Sequence, residues 1–193
     1  MITHRKLRIL ALLLITSGLL GLIPLNYYAL KNKIALAHGS TIETVKLQPS
    51  SHLVSGRPST LSIPSLNMNL QVTDGIYNPK NGQWTLSLDK AHFAAPSVVP
   101  NNETGNTLIY GHYRPEVFAY LHLIKPGAQA IINTDNGYQF SYTFESTEAM
   151  DPADTTIFSY HGKPRLTLQT CSGTFMQHRQ MYYFHYDGFK KIN

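Results

Sequence analysis

The residue of this 193-residue chain best suited to covalent chemistry is its only cysteine. Cys171 ends the run Thr-Leu-Gln-Thr-Cys at residues 167–171, Arg179 follows eight residues later, and His112 lies upstream in Tyr-Gly-His-Tyr. A thiol can act as a nucleophile, an imidazole can donate and accept a proton, and a guanidinium can hold a carbonyl oxygen as negative charge develops. The ordered set His112, Cys171 and Arg179 therefore suits acyl transfer.

Each of these three side chains lies at the end or start of a predicted strand. His112 follows the β-like run 107–110, Cys171 follows 165–170, and Arg179 precedes 181–186. If the last two strands pair, the guanidinium returns close to the thiol. A free thiol with a pKa near 8.5 is only about 3% ionised at pH 7, so a neighbouring cation or imidazole would help it react. The alternative is a buried structural cysteine that behaves as a small hydrophobe.

The elements that must position these residues are short strands. A strong hairpin signal, Asn136-Gly137, separates two of them, and one or two helical turns at 116–123 end at Pro126-Gly127. Seven or so strands with few helices predict an all-β sandwich or barrel. The predicted strands cover residues 60–64, 68–72, 107–110, 129–133, 138–144, 165–170 and 181–186.

The length and composition favour one domain with attachments. Hydrophobic residues make up 42% of the chain, enough for a core, and the net charge is +5. Much of that charge lies at the two termini, and no basic stripe interleaved with aromatic residues runs between them. We therefore expect no nucleic-acid partner.

The N-terminal segment predicts a membrane anchor. Arg5, Lys6 and Arg8 precede a charge-free run of 22 residues from Ile9 to Leu30, and about 20 apolar residues span a bilayer as a helix. Basic residues before the span predict a cytoplasmic N-terminus. We expect a cytoplasmic segment 1–8, a single-pass anchor 9–30, an extracytoplasmic stalk 31–56 and a catalytic domain 57–193. A cleaved signal peptide ending at the Ala-Leu-Ala of residues 35–37 is the alternative.

Taken together, the motifs resemble the sortase family. The resemblance covers about residues 57–187, and its motifs stand in the family's order. They are Thr-Leu-x-Thr-Cys at 167–171, Arg179, Gly-His at 111–112, the pattern from Phe118 to Pro126-Gly127, and the strand-like stretches 62–66 and 72–75. Tyr110 stands where the family usually has Ala. The pattern Asn-Pro-x-x-Gly-x-Trp at 78–84 is most similar to the single-domain D, E and F classes.

The resemblance implies a fold and a reaction. The fold would be a closed eight-stranded sortase-type β-barrel with short helices, preceded by the membrane helix. Cys171 would attack the Thr–Gly carbonyl of a Leu-Pro-x-Thr-Gly-like sorting signal, and His112 would protonate the departing amine. Arg179 would stabilise the oxyanion, while Thr170 and Ser172 would contact substrate. Partners would be surface proteins or pilins bearing that signal, with a peptidoglycan precursor or pilin lysine as acceptor.

Metal ions and cofactors are not expected. The loop before His112 carries only Glu103, where calcium-dependent relatives cluster carboxylates. A second acidic group, Glu145, Glu148, Asp151 and Asp154, falls in a predicted loop at irregular spacing. We expect a solvated loop near the substrate groove rather than a metal site.

Two other functions remain open from the sequence. One is an L,D-transpeptidase, another exported Cys/His/Arg acyl transferase, although Ser172-Gly173 follows the cysteine here in place of its usual motif. The other is a membrane-anchored β-barrel binding module with an incidental thiol. Reaction with a thiol reagent separates a nucleophile from a buried structural cysteine.

Overall fold

A computed structural model describes residues 52–80, 83–172 and 177–192. Ten strands and three short 3-10 helices account for most of its regular structure. The strands are β1 Pro58–Ile63, β2 Met68–Gly75, β3 Tyr77–Asn78, β4 Gln83–Trp84, β5 Ala91–Ala94, β6 Asn106–Tyr110, β7 Gln129–Thr134, β8 Tyr138–Met150, β9 Arg165–Ser172 and β10 His178–Lys191. The 3-10 helices are Pro64–Leu66, Ala119–Leu123 and Thr156–Ser159.

Eight of the strands form a closed barrel. Their order is β1-β2-β5-β6-β9-β10-β8-β7, and β7 pairs back onto β1. The β2–β5 and β6–β9 pairs are parallel, and the other pairs are antiparallel. The small β3–β4 hairpin lies outside the barrel. The closed eight-stranded all-β barrel implied by the resemblance is thus confirmed.

The predicted membrane segment lies outside the residues that the structure describes. Among the residues that the structure describes, no helix is long and apolar enough to cross a membrane. The predicted anchor at 9–30, the segment before it and most of the predicted stalk lie outside the described residues.

The core follows the two-residue period of the strands. Alternate side chains of each strand point to opposite faces of a sheet, so one set fills the barrel interior. Burying each Leu, Ile or Phe fully contributes about 1.5–3 kcal/mol relative to leaving it exposed. The fully buried interior set includes Leu61, Ile63, Ile132, Phe140, Leu166, Leu168 and Phe184.

The strands differ from their predicted bounds mainly on β5, β8 and β10, and the short strands β3 and β4 were not predicted. β10, predicted over residues 181–186, runs from His178 to Lys191. β8 was expected to end at residue 144 but continues to Met150, because its exposed polar half pairs with β10 and needs no apolar pattern. Glu145 and Glu148, expected in a loop, therefore lie on a strand. β5 was missed because all four of its residues are buried, which removes the alternation that marks a half-exposed strand.

The predicted turns are close to the observed ones. The Asn136-Gly137 hairpin joins β7 to β8, and Gly137 has a φ of 81°, which suits a residue without a side chain. The helical turns expected at 116–123 are a hydrogen-bonded turn followed by the 3-10 helix Ala119–Leu123. Leu121 is fully buried and fixes this helix to the barrel.

Residues 52–56, at the end of the predicted stalk, bond to two barrel loops. The Val54 amide donates to the Asn102 side-chain oxygen at 2.8 Å, and the Asn102 amide returns a bond to the Val54 carbonyl at 3.2 Å. The Gly56 amide donates to the Pro100 carbonyl at 3.2 Å, and the Asn136 side chain donates to the Ser55 carbonyl at 2.7 Å. These hydrogen bonds therefore attach residues 52–56 to the barrel and stabilise it.

We expect a chain starting at Ser51 to melt cooperatively and a chain starting at Arg57 to be less stable. A hydrogen bond contributes about 0.5–1.5 kcal/mol net, so losing these four should cost roughly 2–6 kcal/mol. Urea denaturation of both truncated chains, followed by tryptophan fluorescence, measures the difference. Equal midpoints would show that residues 51–56 do not stabilise the barrel.

Candidate active site

The side chains of β9 divide between the barrel interior and its outer wall. Leu166 and Leu168 are fully buried in the core, and Thr170 is 2% exposed. Because the alternation has a period of two, Gln169 and Cys171 project from the other face. Cys171 is half-buried, and it is the protein's only thiol.

Cys171 lies opposite Arg179 on the neighbouring strand, and the Arg179 guanidinium donates to the His178 carbonyl at 3.4 Å. In the antiparallel β9–β10 ladder, Cys171 pairs directly with Arg179, and Met181 pairs with Gln169. Directly opposed residues have Cβ atoms about 4.5–5.5 Å apart and share one face of the sheet. The expected pairing of these two strands is therefore observed, with Arg179 beside the thiol. Arg179 is also half-buried.

The parallel β6–β9 pair brings the residues just before His112 next to the end of β9. Tyr110 is the register partner of Gln169, and the Gly111 amide donates to the Gln169 carbonyl at 3.0 Å. One residue further, the Thr170 hydroxyl donates to the Gly111 carbonyl at 3.0 Å. His112 follows directly after Gly111, so its backbone lies near the end of β9 that carries Cys171.

The backbone of His112 is also held from its C-terminal side. Its carbonyl accepts hydrogen bonds from the Arg114 amide at 2.9 Å and the Phe118 amide at 3.2 Å. The turn that makes these bonds packs closely on Gly111, where an added Cβ would lie 2.6 Å from Cγ1 of Val117. Only glycine allows this approach, which gives a physical reason for the Gly before the His.

A cleft of about 1000 Å³ runs along this outer wall of β6, β9 and β10. The segment 76–90, described at residues 76–80 and 83–90, lies between β2 and β5 and forms one flank. The β8–β9 connection forms the other flank. Among the described residues, Cys171, Arg179 and Thr170 belong to the lining, whereas His112 and Ser172 do not. Further lining residues are Tyr77, Trp84, Leu86, Ala94, Leu108, Tyr110, Asp151, Asp154, Ile157, Phe158, Gln169 and Met181.

The two residues expected to contact substrate differ in their surroundings. Thr170 is buried, and its hydroxyl is committed to the Gly111 carbonyl, so its side chain joins the His112 and Cys171 strands. Ser172 is half-buried and pairs with His178 on β10. Both residues flank Cys171 in β9.

Several cleft residues were not identified from the sequence as site residues. The most prominent is Trp84, the only tryptophan, whose ring lies 5.4 Å from that of Tyr110 and 6.4 Å from that of Phe158. The sequence feature that could have marked Trp84 as a cleft residue is that it is a single tryptophan in a stretch without apolar periodicity. Ile157 and Phe158 come from an irregular connection that gave no signal.

His92 supports the cleft from the adjacent strand β5. It is the register partner of Tyr110, and its ring stacks on the tyrosine ring at 5.6 Å. Its nitrogens lie 3.2 Å from the Thr73 hydroxyl and 3.0 Å from the Ser87 hydroxyl. Burial holds the pKa of His92 below its ordinary value, with a smaller contribution from the nearby charge of His112.

The acidic residues of the cleft's flank have local bonding partners. Asp151 accepts from the Ala153 amide at 2.7 Å, and Asp154 accepts from the Thr156 hydroxyl and amide at 2.6 and 2.8 Å. The Thr156 hydroxyl bond is the main cause of the lowered pKa of Asp154. Within the described ranges, no group of three or more His, Cys, Asp or Glu is arranged to hold a metal ion.

Comparison with known proteins agrees with this geometry. A sequence model of the Sortase domain matches residues 61–185, well over half of the chain. No curated protein matches by sequence.

Three solved structures show the likeness of fold. Sortase A of Listeria monocytogenes has 22% identity, covers 72% of this chain and 92% of its own, and has a TM-score of 0.57. Sortase E1 of Streptomyces coelicolor, solved with a tripeptide in its active site, has 19% identity, 71% and 91% coverage, and a TM-score of 0.55. Sortase C1 of Streptococcus agalactiae has 21% identity, 69% and 68% coverage, and a TM-score of 0.56. Because these neighbours span three classes, the D, E or F class stays a prediction.

We expect Thr170→Val to slow the reaction of Cys171 as well as to lower stability. The change keeps the side chain's size but removes the hydroxyl that joins β6 to β9, at a cost of about 1–3 kcal/mol for a buried polar group left unpaired. The measurements are the melting temperature and the rate of iodoacetamide labelling of Cys171.

Thr167→Val is the matched control for that change. Thr167 lies in the same strand and is fully buried, and its hydroxyl donates to Asn106 at 2.7 Å, away from His112. It should lower the melting temperature comparably and leave the labelling rate near that of the wild type. Equal labelling rates in both variants would show that the Thr170 bond contributes stability alone.

Proposed function

This chain belongs to the sortase family and is a cysteine transpeptidase, and from that premise we propose that it cleaves a Leu-Pro-x-Thr-Gly-like sorting signal between Thr and Gly. The observation that carries this proposal is the position of Cys171 opposite Arg179, both of them lining a cleft of about 1000 Å³. The family match favours this activity over the two alternatives that the sequence left open, an L,D-transpeptidase and a binding module without activity.

In the first half of the proposed reaction, Cys171 takes the acyl group. The thiolate sulfur attacks the Thr carbonyl carbon, a C–S bond forms, and the carbonyl oxygen becomes negatively charged. Arg179, directly across the ladder, stabilises that oxygen with its fixed positive charge. His112 donates a proton to the Gly nitrogen as the C–N bond breaks, which leaves a thioester and a free amine.

In the second half, an amine acceptor resolves the thioester. The acceptor nitrogen attacks the thioester carbon and loses a proton to His112, and the C–S bond breaks to release the thiolate of Cys171. Enzyme and proton count return to their starting state, and the net change is the exchange of one amide for another. The donors would be surface proteins or pilins, and the acceptor a peptidoglycan precursor or a pilin lysine.

The roles of Thr170 and Ser172 follow from their places beside the thiol. Thr170 contributes through its bond to Gly111, which holds the strand end before His112. Ser172 follows Cys171 on β9 and is half-buried, so a bound peptide can reach it. We assign Thr170 to positioning and Ser172 to substrate contact.

We further propose that the enzyme is held in the cell membrane by residues 9–30, with its N-terminus in the cytoplasm and the barrel outside. The support is the charge-free run that follows Arg5, Lys6 and Arg8. Sorting signals and cell-wall amines are extracytoplasmic, which fits that orientation.

Intact-mass measurement of the protein extracted from membranes tests the anchor. We expect the mass of the whole chain, because the Ala-Leu-Ala at 35–37 lies about a dozen residues beyond the strongly apolar run. A mature N-terminus at His38 would show that the segment is a cleaved signal peptide instead.

Substitutions of the three reacting residues test the mechanism. Cys171→Ala should abolish thioacyl adduct and transfer, because the chain has no second thiol. His112→Ala should slow turnover by about 10²–10⁴, the usual loss of general acid–base help. Arg179→Ala should cost about 10²–10³, and Arg179→Lys should rescue poorly because lysine lacks the planar donor fork. Transpeptidation of a sorting-signal peptide library, with mass spectrometry of the adduct, measures all four.

Two controls accompany these variants. His161→Ala changes an exposed histidine that is not among the cleft-lining residues, and it should leave turnover unchanged. Melting temperatures separate loss of chemistry from loss of fold. Wild-type turnover by Cys171→Ala would overturn the mechanism. If the variants lose activity only to the extent that they unfold, Cys171 is a structural residue rather than the nucleophile.

A further inference from the structure

The segment 76–90, between β2 and β5, is fastened to the barrel wall at two polar points. The Tyr110 hydroxyl donates to the Thr85 carbonyl at 2.9 Å, and the His92 ring lies 3.0 Å from the Ser87 hydroxyl. Both barrel residues are at least nine-tenths buried, so these contacts are shielded from water. Burial also raises the pKa of Tyr110, which keeps its hydroxyl protonated as a donor. This fastening fixes the position of Trp84, the residue before Thr85.

Trp84 joins the two flanks of the cleft. Its ring meets the edge of Tyr110 at 5.4 Å and an angle of 68°, and it lies nearly parallel to Phe158 at 6.4 Å and 16°. Phe158 comes from the opposite flank, in the 3-10 helix Thr156–Ser159. The two rings therefore meet where the flanks of the cleft approach each other.

The distance from the thiol to this contact is short. Tyr110 is level with Gln169, which precedes Cys171 by two residues, and a strand rises about 3.3 Å per residue. The Trp84 contact thus begins roughly 7 Å along the wall from Cys171, about two residues of an extended peptide. The cleft beside it is apolar, with Ala94, Leu108 and Ile157 in its lining.

The part of a donor peptide that occupies this end of the cleft is the acyl side. The amine side must leave and be replaced by the acceptor, so it needs an open path, whereas the acyl side stays bound through both steps. A cleft limited by two stacked rings suits the half of the substrate that does not exchange.

We propose that Trp84, backed by Phe158, is a specificity-determining residue that limits the size of the side chain accepted two to four positions before the scissile carbonyl. This inference rests on the proposed function, because it concerns the donor peptide of that reaction. Trp84 contacts no reacting atom, so it should act on the choice among peptides and not on the chemistry of Cys171.

A peptide panel with the full-length chain tests the inference. Sorting-signal peptides carrying Ala, Leu or Phe at each of these positions are offered to the wild type, Trp84→Ala, Trp84→Phe and Phe158→Leu. We expect kcat/KM for the Phe peptides, relative to the Ala peptides, to rise about 10–200-fold in Trp84→Ala, the range by which pocket shape discriminates side chains. Trp84→Phe and Phe158→Leu should give smaller changes in the same direction.

Leu88→Ala is the matched control. Leu88 is an apolar residue of the same segment, is 61% exposed, and is not among the described residues that line the cleft. Its variant should keep the wild-type ranking of peptides. Iodoacetamide labelling of Cys171 should proceed at the wild-type rate in every variant, because the thiol's own surroundings are unchanged.

The outcomes separate this inference from the function on which it rests. An unchanged ranking in a folded Trp84→Ala overturns the role of Trp84, even if the wild type is fully active. If Trp84→Ala fails to melt cooperatively, an unchanged ranking in both Trp84→Phe and Phe158→Leu overturns it. A wild type that forms no thioacyl adduct with any peptide, although its thiol is labelled, overturns the proposed function and this inference with it.

Discussion

The alternation of side chains along β9 governs the rest of the site. Leu166 and Leu168 enter the core, Thr170 turns inward to bond β6, and Cys171 is thereby directed outward. A slip of one residue would exchange the two faces, exposing leucine and burying the thiol, so the hydrophobic core itself fixes which way the thiol points. The same ladder sets Arg179 across from Cys171, since residues paired directly across a sheet share a face.

The parallel pairing of β6 with β9 brings together residues that are far apart in sequence. Parallel strands end at the same edge of a sheet, so the residue after β6 and the last residues of β9 come together there. The Thr170 hydroxyl closes this contact on the Gly111 carbonyl across a sequence separation of 59 residues. Because Gly111 has no side chain, the following turn can pack against it and donate hydrogen bonds to the His112 carbonyl.

The walls of the cleft come from two connections outside the barrel, one carrying the short β3–β4 pair and the other the 3-10 helix Thr156–Ser159. The segment 76–90 is fastened through Thr85 and Ser87 to buried barrel residues, and the opposite flank is ordered by local turns at Asp151 and Asp154. Tyr110, which stands where the resembled family usually has Ala, contacts the Trp84 ring from the barrel wall. A rigid barrel wall thus presents the reacting groups, while the flanks shape what reaches them.

The sequence alone determined the candidate reacting residues, the all-β class and most strand positions, because alternation, turn residues and a single cysteine are local signals. It also placed His112, Cys171 and Arg179 at strand ends. It could not give β5, whose four residues are buried on both faces, nor the polar half of β8, which is a strand only because β10 pairs with it. The meeting of Trp84 with Phe158 and the commitment of the Thr170 hydroxyl to Gly111 were likewise decided by tertiary structure. Each contact depends on the register and packing of segments that are distant in sequence, and no local sequence pattern specifies which distant segments meet.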